Sequence, residues 1–516
     1  MMMDKTILID LSTSYQFRHW KPMGILRVEH EVYRALADRF GARLCPVIYE
    51  EARDGFYRIP EALFEEVIFR NGRQPVVPER ACTARSRWRS WMRVGRFVLR
   101  VCARGRGRAV RGEEARSRRE AVIGTELLRL SVAEYAMMRR ALVRLERVFP
   151  RIAASIQGLD ALNHKAHFGL LRTVHDEICT PENRIEPDRV AHYVSAGGFW
   201  SDDRYRLAHR MRGAHGWRLH YYIHDLIPIL WGHLAEPTTR TTYPAALHWM
   251  LWGVDRIWTN SETTRRDLLA HAARHGYPPL DPAQVLPVPL GADAARGRAD
   301  PAMRQGIFAR RNLVPGRFVL MVGTQEPRKN YDFVYRLWRE LHHRHPGQVM
   351  PLVWVGQPGW SIAPLLEMLR NDAGLPHEAI RILPDVEDDE LEELYRACRF
   401  SIYASHYEGW GLPVVEALGH GKPCLTSDAP ALIEAGAGAA EPIGLFEGER
   451  WLERCHALMS DEAAYGAACA RAARFEGRNW ATFREELGAD LEAAIGAARA
   501  APVPESAQPS VQEDAA

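Results

Sequence analysis

Short apolar runs alternate with helical patterns in both halves of this chain, and that rhythm restricts the fold more than any other feature. Residues 6–11, 219–223 and 256–258 form such runs early, and residues 318–322, 352–355, 380–383 and 400–403 form them later. An apolar run of strand length needs cover on both faces, and a helix-bearing crossover returns the chain to a parallel neighbour. The pattern predicts α/β architecture with parallel sheets. At 516 residues the chain is long enough for two or more domains, each with its own core. Each of the later runs leads into a loop of unusual residues, where open α/β sheets bind ligands, so the second half reads as the clearer nucleotide-binding lobe.

The most informative of those loops is Glu408-Gly-Trp-Gly-Leu-Pro-Val-Val-Glu416. Gly409 and Gly411 let the backbone approach a ligand closely, and Pro413 suits the first helical position, where its missing N–H costs nothing. The free amides of the first turn then face an anion. With Glu408 before the loop and Glu416 inside the helix, phosphates and hydroxyls of one ligand would both find partners. A surface turn capped by acidic residues would explain two glutamates and one glycine, but it does not account for Gly-x-Gly-Leu-Pro between them.

On these residues the chain resembles the retaining glycosyltransferases of the two-lobed GT-B fold, specifically the large family 4 that uses nucleoside-diphosphate sugars. Glu408 and Glu416 match its Glu-x7-Glu signature. Further matching segments follow in order: Gly24-Ile-Leu-Arg27-Val-Glu29, His224-Asp-Leu-Ile-Pro228, Thr259-Asn-Ser261 with Arg265-Arg266-Asp267-Leu268, Val288-Pro-Leu-Gly291-Ala-Asp293, Val322-Gly-Thr-Gln-Glu326-Pro-Arg328-Lys329-Asn330 and Val355-Gly-Gln-Pro-Gly-Trp360. The resemblance covers roughly residues 5–50 and 190–490 and is weak or absent between about 55 and 185.

The resemblance implies two Rossmann-like lobes facing a cleft, with a mostly helical, arginine-rich insertion in the first. The lobes would be residues 1–300, with the insertion at about 70–185, and residues 301–478. Between 291 and 314 the apolar period gives way to Ala, Arg, Asp and Pro, which reads as the crossing between lobes. Trp480, Phe483, Leu487 and Leu491 recur at helical spacing, and residues 479–500 would form the helix that in GT-B enzymes crosses back to the first lobe. Residues 501–516, rich in Pro, Ser and Ala, are expected to be disordered.

The resemblance also assigns roles. Lys329 matches the lysine that contacts the donor phosphates, with Arg328 as its helper. Many family members place an arginine directly after the strand glycine, whereas this chain has Thr324 there. Glu416 resembles the acceptor of ribose hydroxyl hydrogen bonds, and Glu408 the carboxylate near the transferred sugar, orienting it more than attacking it. Gly24 would approach the diphosphate through its amide, and His224 would face the donor sugar across the cleft. Gly409, Trp410, Gly411 and Leu412 complete the donor loop. Trp231 and Trp200 are candidates for the acceptor side, though aromatics there equally suit a core.

Residues 85–119 hold thirteen arginines against two glutamates, so this window carries about +11 and the remainder, against a total of +3, about −8. Trp88, Trp91, Met92, Gly95, Val98, Leu99 and Cys102 fall on one helical face, with arginines largely on the other. Such a helix suits an anionic membrane surface, or equally an insertion packed on the first lobe with solvated arginines. No recognisable nucleic-acid module surrounds it. The eight cysteines lack any Cys-x-x-Cys pair and read as reduced core thiols, and His342, His343 and His345 read as a helix end. No run approaches the roughly 20 apolar residues a membrane span needs. With a first apolar stretch too short for a signal peptide, these features predict a cytoplasmic chain, peripheral on the inner membrane face if the arginine helix docks there.

The functional expectation is a retaining, metal-independent hexosyltransferase without a cofactor. It would move a hexose or deoxyhexose, mannose-type and GDP-linked by resemblance, from a nucleoside-diphosphate sugar to a surface-polysaccharide or lipid-linked glycan. The alternatives are a GT-B-fold nucleotide-sugar epimerase or phosphorylase, and a non-catalytic glycan- or membrane-binding relative.

Overall fold

The computed structural model describes residues 6–17, 24–68, 177–292 apart from 199 and 201, and 301–498. In chain order the strands are β1 (Thr6–Asp10), β2 (Leu44–Glu50), β3 (Gly55–Arg58), β4 (Val190–Ser195), β5 (Arg218–Ile223), β6 (Arg256–Thr259), β7 (Val285–Pro287), β8 (Val319–Val322), β9 (Leu352–Val355), β10 (Ile380–Leu383), β11 (Ser401–Tyr403), β12 (Cys424–Ser427) and β13 (Glu441–Ile443). The described residues fall into two compact units, one built from 6–14, 24–55 and 186–498, the other from 15–17, 56–68 and 177–185.

The larger unit holds two parallel sheets. Its first sheet runs β2-β1-β4-β5-β6-β7 and its second β10-β9-β8-β11-β12-β13, with every one of these neighbours parallel. The apolar runs read from the sequence coincide with β1, β5, β6, β8, β9, β10 and β11, shifted by a residue at some ends. Helices cover both faces of the second sheet. Val319 and Met321 of β8 join the core of Tyr331, Val334, Trp338 and Trp354, whereas Leu320 joins Val353, Leu394 and Tyr395 on the opposite side. Alternation along one strand feeds two cores, which is why these strands are apolar throughout.

In each sheet the strand order reverses beside one strand. β1 lies between β2 and β4, and β8 between β9 and β11, so the loops after β1 and β4, and after β8 and β11, diverge and leave a crevice at the carboxyl ends.

The stretch from 291 to 314, read as the crossing between lobes, contains a helix, Pro301–Arg311. Ile307 and Phe308 of this helix are buried. The final helix, Trp480–Ala498, buries Trp480, Phe483, Leu487, Leu491 and Ile495. It packs on the first lobe: Trp258 Nε1 donates to Asp490 at 2.8 Å, and Arg39 of the helix Ile25–Phe40 pairs with Glu485 and Glu492 at 3.0 and 2.7 Å. The histidines at 342–345 close the helix Tyr331–Arg344. Cys45, Cys179, Cys398, Cys424 and Cys455 are buried.

The smaller unit contains most of β3, the helix Glu61–Ile68 and a turn at Pro181–Asn183, tied by the Ile185 amide donating to the Phe56 carbonyl at 3.0 Å. The arginine-rich segment 85–119, most of the expected insertion and the tail 501–516 lie outside the described residues. Among the described residues no helix is long and apolar enough to cross a membrane.

Candidate functional site

The reversal at β8 and β11 brings together residues separated by about eighty positions. After β8 the chain passes Gly323 and exposed Thr324 and tightens into a turn at Pro327–Lys329. After β11 it passes Ser405 and reaches Glu408. Lys329 Nζ donates to Glu408 Oε1 at 2.7 Å, Arg328 donates to the other carboxylate oxygen, and Ser405 Oγ donates to Oε1 at 2.9 Å. Arg328 also bonds Glu326 and the Tyr407 carbonyl. The pair Arg328–Lys329 is therefore a packed cationic centre and not a solvated helix start.

Burial alone would raise the Glu408 pKa, but Arg328, Lys329 and the hydrogen bonds from Lys329 and Ser405 hold it at about 2. Its neighbours go the other way. Burial raises the pKa of Glu326 and of Asp225, with Arg328 and Lys329 acting in the opposite direction. Burial disfavours charge on Arg328 as well, yet Glu408, Glu326 and Asp225 keep its guanidinium protonated. The result is a largely buried cluster of charges, the type of environment in which preorganised cations act most strongly on an incoming anion.

The glycine-flexed loop follows. Gly411 has φ 140°, a conformation that a side chain disfavours, and precedes the helix Leu412–Gly419. Leu412 opens that helix and Pro413 is its second residue, one place later than expected; Pro is tolerated there because first-turn amides lack helical partners anyway. Gly409 is a close-approach position. A methyl group on it would lie 2.8 Å from Asn260 Nδ2 and closer still to the His224 carbonyl oxygen of the first lobe. Ser261 Oγ donates to the Gly409 carbonyl at 2.6 Å, fixing the loop against the loop after β6. Trp410 is buried beside it.

Glu416 lies in the fifth position of its helix, where Tyr395 OH donates to Oε2 at 2.9 Å and Arg27 of the first lobe approaches Oε1 at 3.3 Å. His224, after β5, is buried with Nε2 2.7 Å from the Ala196 carbonyl, so the tautomer with Nε2–H fits. Burial lowers its pKa to about 4, against the opposing effect of that hydrogen bond, and the ring is neutral at neutral pH. Gly24 is exposed at the start of the helix Ile25–Phe40, where its carbonyl accepts the Val28 amide. Trp231 stacks on Tyr407 at 5.7 Å, and Trp200 meets Tyr243 edge-on at 4.7 Å.

Three contributors carried no assigned role in the sequence reading. Ser405 and Tyr395 orient the two signature carboxylates, and neither stands out in sequence, since one is an ordinary serine and the other a core tyrosine of the helix Asp388–Ala397. Glu434 accepts the Glu262 and Thr263 amides at 2.7 and 3.1 Å, capping a first-lobe helix from the second lobe. Among the described residues no group of three or more His, Cys, Asp or Glu could hold a metal ion.

Residues 307–437 match the model of the family described as glycosyl transferases group 1. The serotype-specific mannosyltransferase WbdA of Escherichia coli is 29% identical over 270 residues, which are 51% of this chain and 32% of that protein. The O-antigen chain mannosyltransferase B of Escherichia coli is 29% identical over 200 residues, 39% and 50% of the two chains. The D-inositol 3-phosphate glycosyltransferase of Nocardia farcinica is 32% identical over 216 residues, 40% and 47%. The chain thus spans about a third to a half of the length of these curated relatives. In structure it is similar to Anabaena Alr3699/HepE solved in complex with UDP, with a TM-score of 0.53 at 12% identity over 95% of this chain and 100% of that one. The fold is GT-B.

Proposed function

We propose that this chain is a family 4 retaining glycosyltransferase that moves a mannose-type sugar from a GDP-linked donor to a glycan acceptor, on a surface polysaccharide or a lipid-linked precursor. The observation that carries the reading is the clamp of Lys329 and Arg328 on Glu408 at the β8/β11 reversal, continued by the glycine loop and Glu416. The group 1 family match over this lobe and the mannosyltransferase relatives support the enzyme class and the sugar.

In this reading the donor diphosphate draws Lys329 and Arg328 onto its oxygens, while its ribose hydroxyls donate to Glu416. The acceptor hydroxyl attacks the anomeric carbon on the face the diphosphate leaves. The bond from that carbon to the phosphate oxygen breaks, and the hydroxyl proton passes to the departing phosphate. Lys329, Arg328 and the amides at the start of the helix Leu412–Gly419 stabilise the charge gathered by the leaving group, so neither metal nor cofactor is invoked. Glu408, held ionised, orients the sugar, and neutral His224 lines the opposite wall.

The test is a thermal-shift panel of GDP-, UDP-, dTDP- and ADP-sugars on the wild type and Glu416→Ala. A donor at 100 times its dissociation constant stabilises the folded state by about 2.7 kcal/mol. One nucleotide class should shift the wild type and lose its effect in Glu416→Ala; equal shifts in both proteins would refute the ribose assignment.

A further inference from the structure

Arg27 has no part in the chemistry described above, yet its side chain reaches across to the carboxylate read as the ribose acceptor. It is the third residue of the helix Ile25–Phe40, and its guanidinium lies 3.3 Å from Glu416 Oε1, a contact between residues 389 positions apart. The same guanidinium sits 5.1 Å above the Trp480 ring. Stacking on an indole orients a planar cation while leaving its N–H edge free to meet oxygens. Both side chains are partly open, at 27% and 18% exposure, so the pair is reachable from solvent.

The charge balance gives this position its meaning. Asp225, Glu326, Glu408 and Glu416 place four carboxyl groups around the cleft, and the second lobe answers with Arg328 and Lys329, both engaged by Glu408. A nucleoside diphosphate adds at least two further negative charges. Its phosphates hang from the ribose whose hydroxyls would occupy Glu416, within the sweep of an arginine side chain already at that carboxylate. Arg27, from the first lobe, is in place to add a cation to this arrangement.

We infer that Arg27 is a donor-binding residue: it pairs with Glu416 and turns to the diphosphate when the nucleotide binds. The inference rests on the proposed donor site and adds a contact from the opposite lobe. It makes the Arg27–Glu416 pair a placeholder that the ligand exchanges for a stronger one, since a guanidinium binds phosphate oxygens bidentately.

The test is calorimetric titration of the full chain with GDP and UDP, and with guanosine and uridine, for the wild type, Arg27→Gln and Arg27→Lys. Losing one charge-assisted contact should weaken binding of the preferred nucleoside diphosphate roughly 10-fold or more in Arg27→Gln, with partial recovery in Arg27→Lys. The matching nucleoside, which has no phosphate, should bind Arg27→Gln as well as it binds the wild type. Equal losses for nucleotide and nucleoside, or tighter nucleotide binding by Arg27→Gln, would overturn the assignment, the latter marking Arg27 as a latch that only blocks Glu416. A wild type that binds neither nucleoside diphosphate overturns the donor-site reading and this inference with it, whereas intact binding by Arg27→Gln overturns this inference alone. Melting temperatures within a few degrees of the wild type establish that both variants are folded.

Discussion

Lys329 Nζ lies 2.7 Å from Glu408 Oε1, and with Arg328 on the second oxygen the carboxylate is bound from both sides. The two segments of the second lobe that carry Arg328, Lys329 and Glu408 are thus locked together. In the proposed reading, a diphosphate competes with Glu408 for its two cations.

Replacing Lys329 with alanine should therefore act on turnover and on the resting site together. We expect a loss of about 100-fold or more in turnover, the scale seen when one preorganised donor is removed. The Glu408 pKa should rise as well, because one of the charges holding it down is gone. Initial rates across a pH series on Lys329→Ala check both; near-normal rates would remove Lys329 from the chemistry.

Tyr395 positions Glu416 through a single hydrogen bond. Tyr395→Phe keeps the ring and deletes the hydroxyl, so donor affinity should fall by about 5-fold, equivalent to about 1 kcal/mol. The effect should appear in KM for the donor with kcat little changed. A fall in kcat at constant KM would contradict a purely positioning role.

Glu29 gives the fold a pH signature apart from catalysis. It is fully buried, its Oε2 accepts from the Ser14 amide at 2.6 Å and from the Ser14 hydroxyl, and burial, reinforced by Asp10, raises its pKa from 4.5 to about 8. Between those values the folded chain holds a proton that the unfolded chain has released, so this residue's contribution to stability falls as pH rises from about 4.5 to about 8. Glu29→Gln cannot ionise, and its melting temperature should gain on the wild type as the pH is raised through that window. Parallel melting curves across the window would show that Glu29 is already ionised in the folded chain.

Gly409 should tolerate no side chain. In Gly409→Ala the new methyl meets Asn260 and the His224 carbonyl, and overpacking of this kind costs about 1–3 kcal/mol. Because the collision is between lobes, donor binding should weaken along with the melting temperature. An unchanged protein would mean that the lobes separate freely at this contact.

Much of this architecture is legible in sequence because strands such as Leu352–Val355 are buried on both faces and so appear as uninterrupted apolar runs. The strand Glu441–Ile443, three residues long with one buried apolar side chain, offers no such signal. Within the site, the glycine loop is readable because backbone geometry demands its residue types. The clamp on Glu408 and the reach of Arg27 to Glu416 are not, since each depends on which strands the sheet order places side by side and on where the two lobes meet.

The most direct test of the whole account is a transfer assay with GDP-mannose and an α-mannoside acceptor, followed by NMR of the product. The account predicts release of GDP matched by a new α-linked mannose in the wild type, and its loss by about 100-fold or more in Lys329→Ala. A β-linked product would contradict retention, and transfer by Lys329→Ala at the wild-type rate would contradict the site itself.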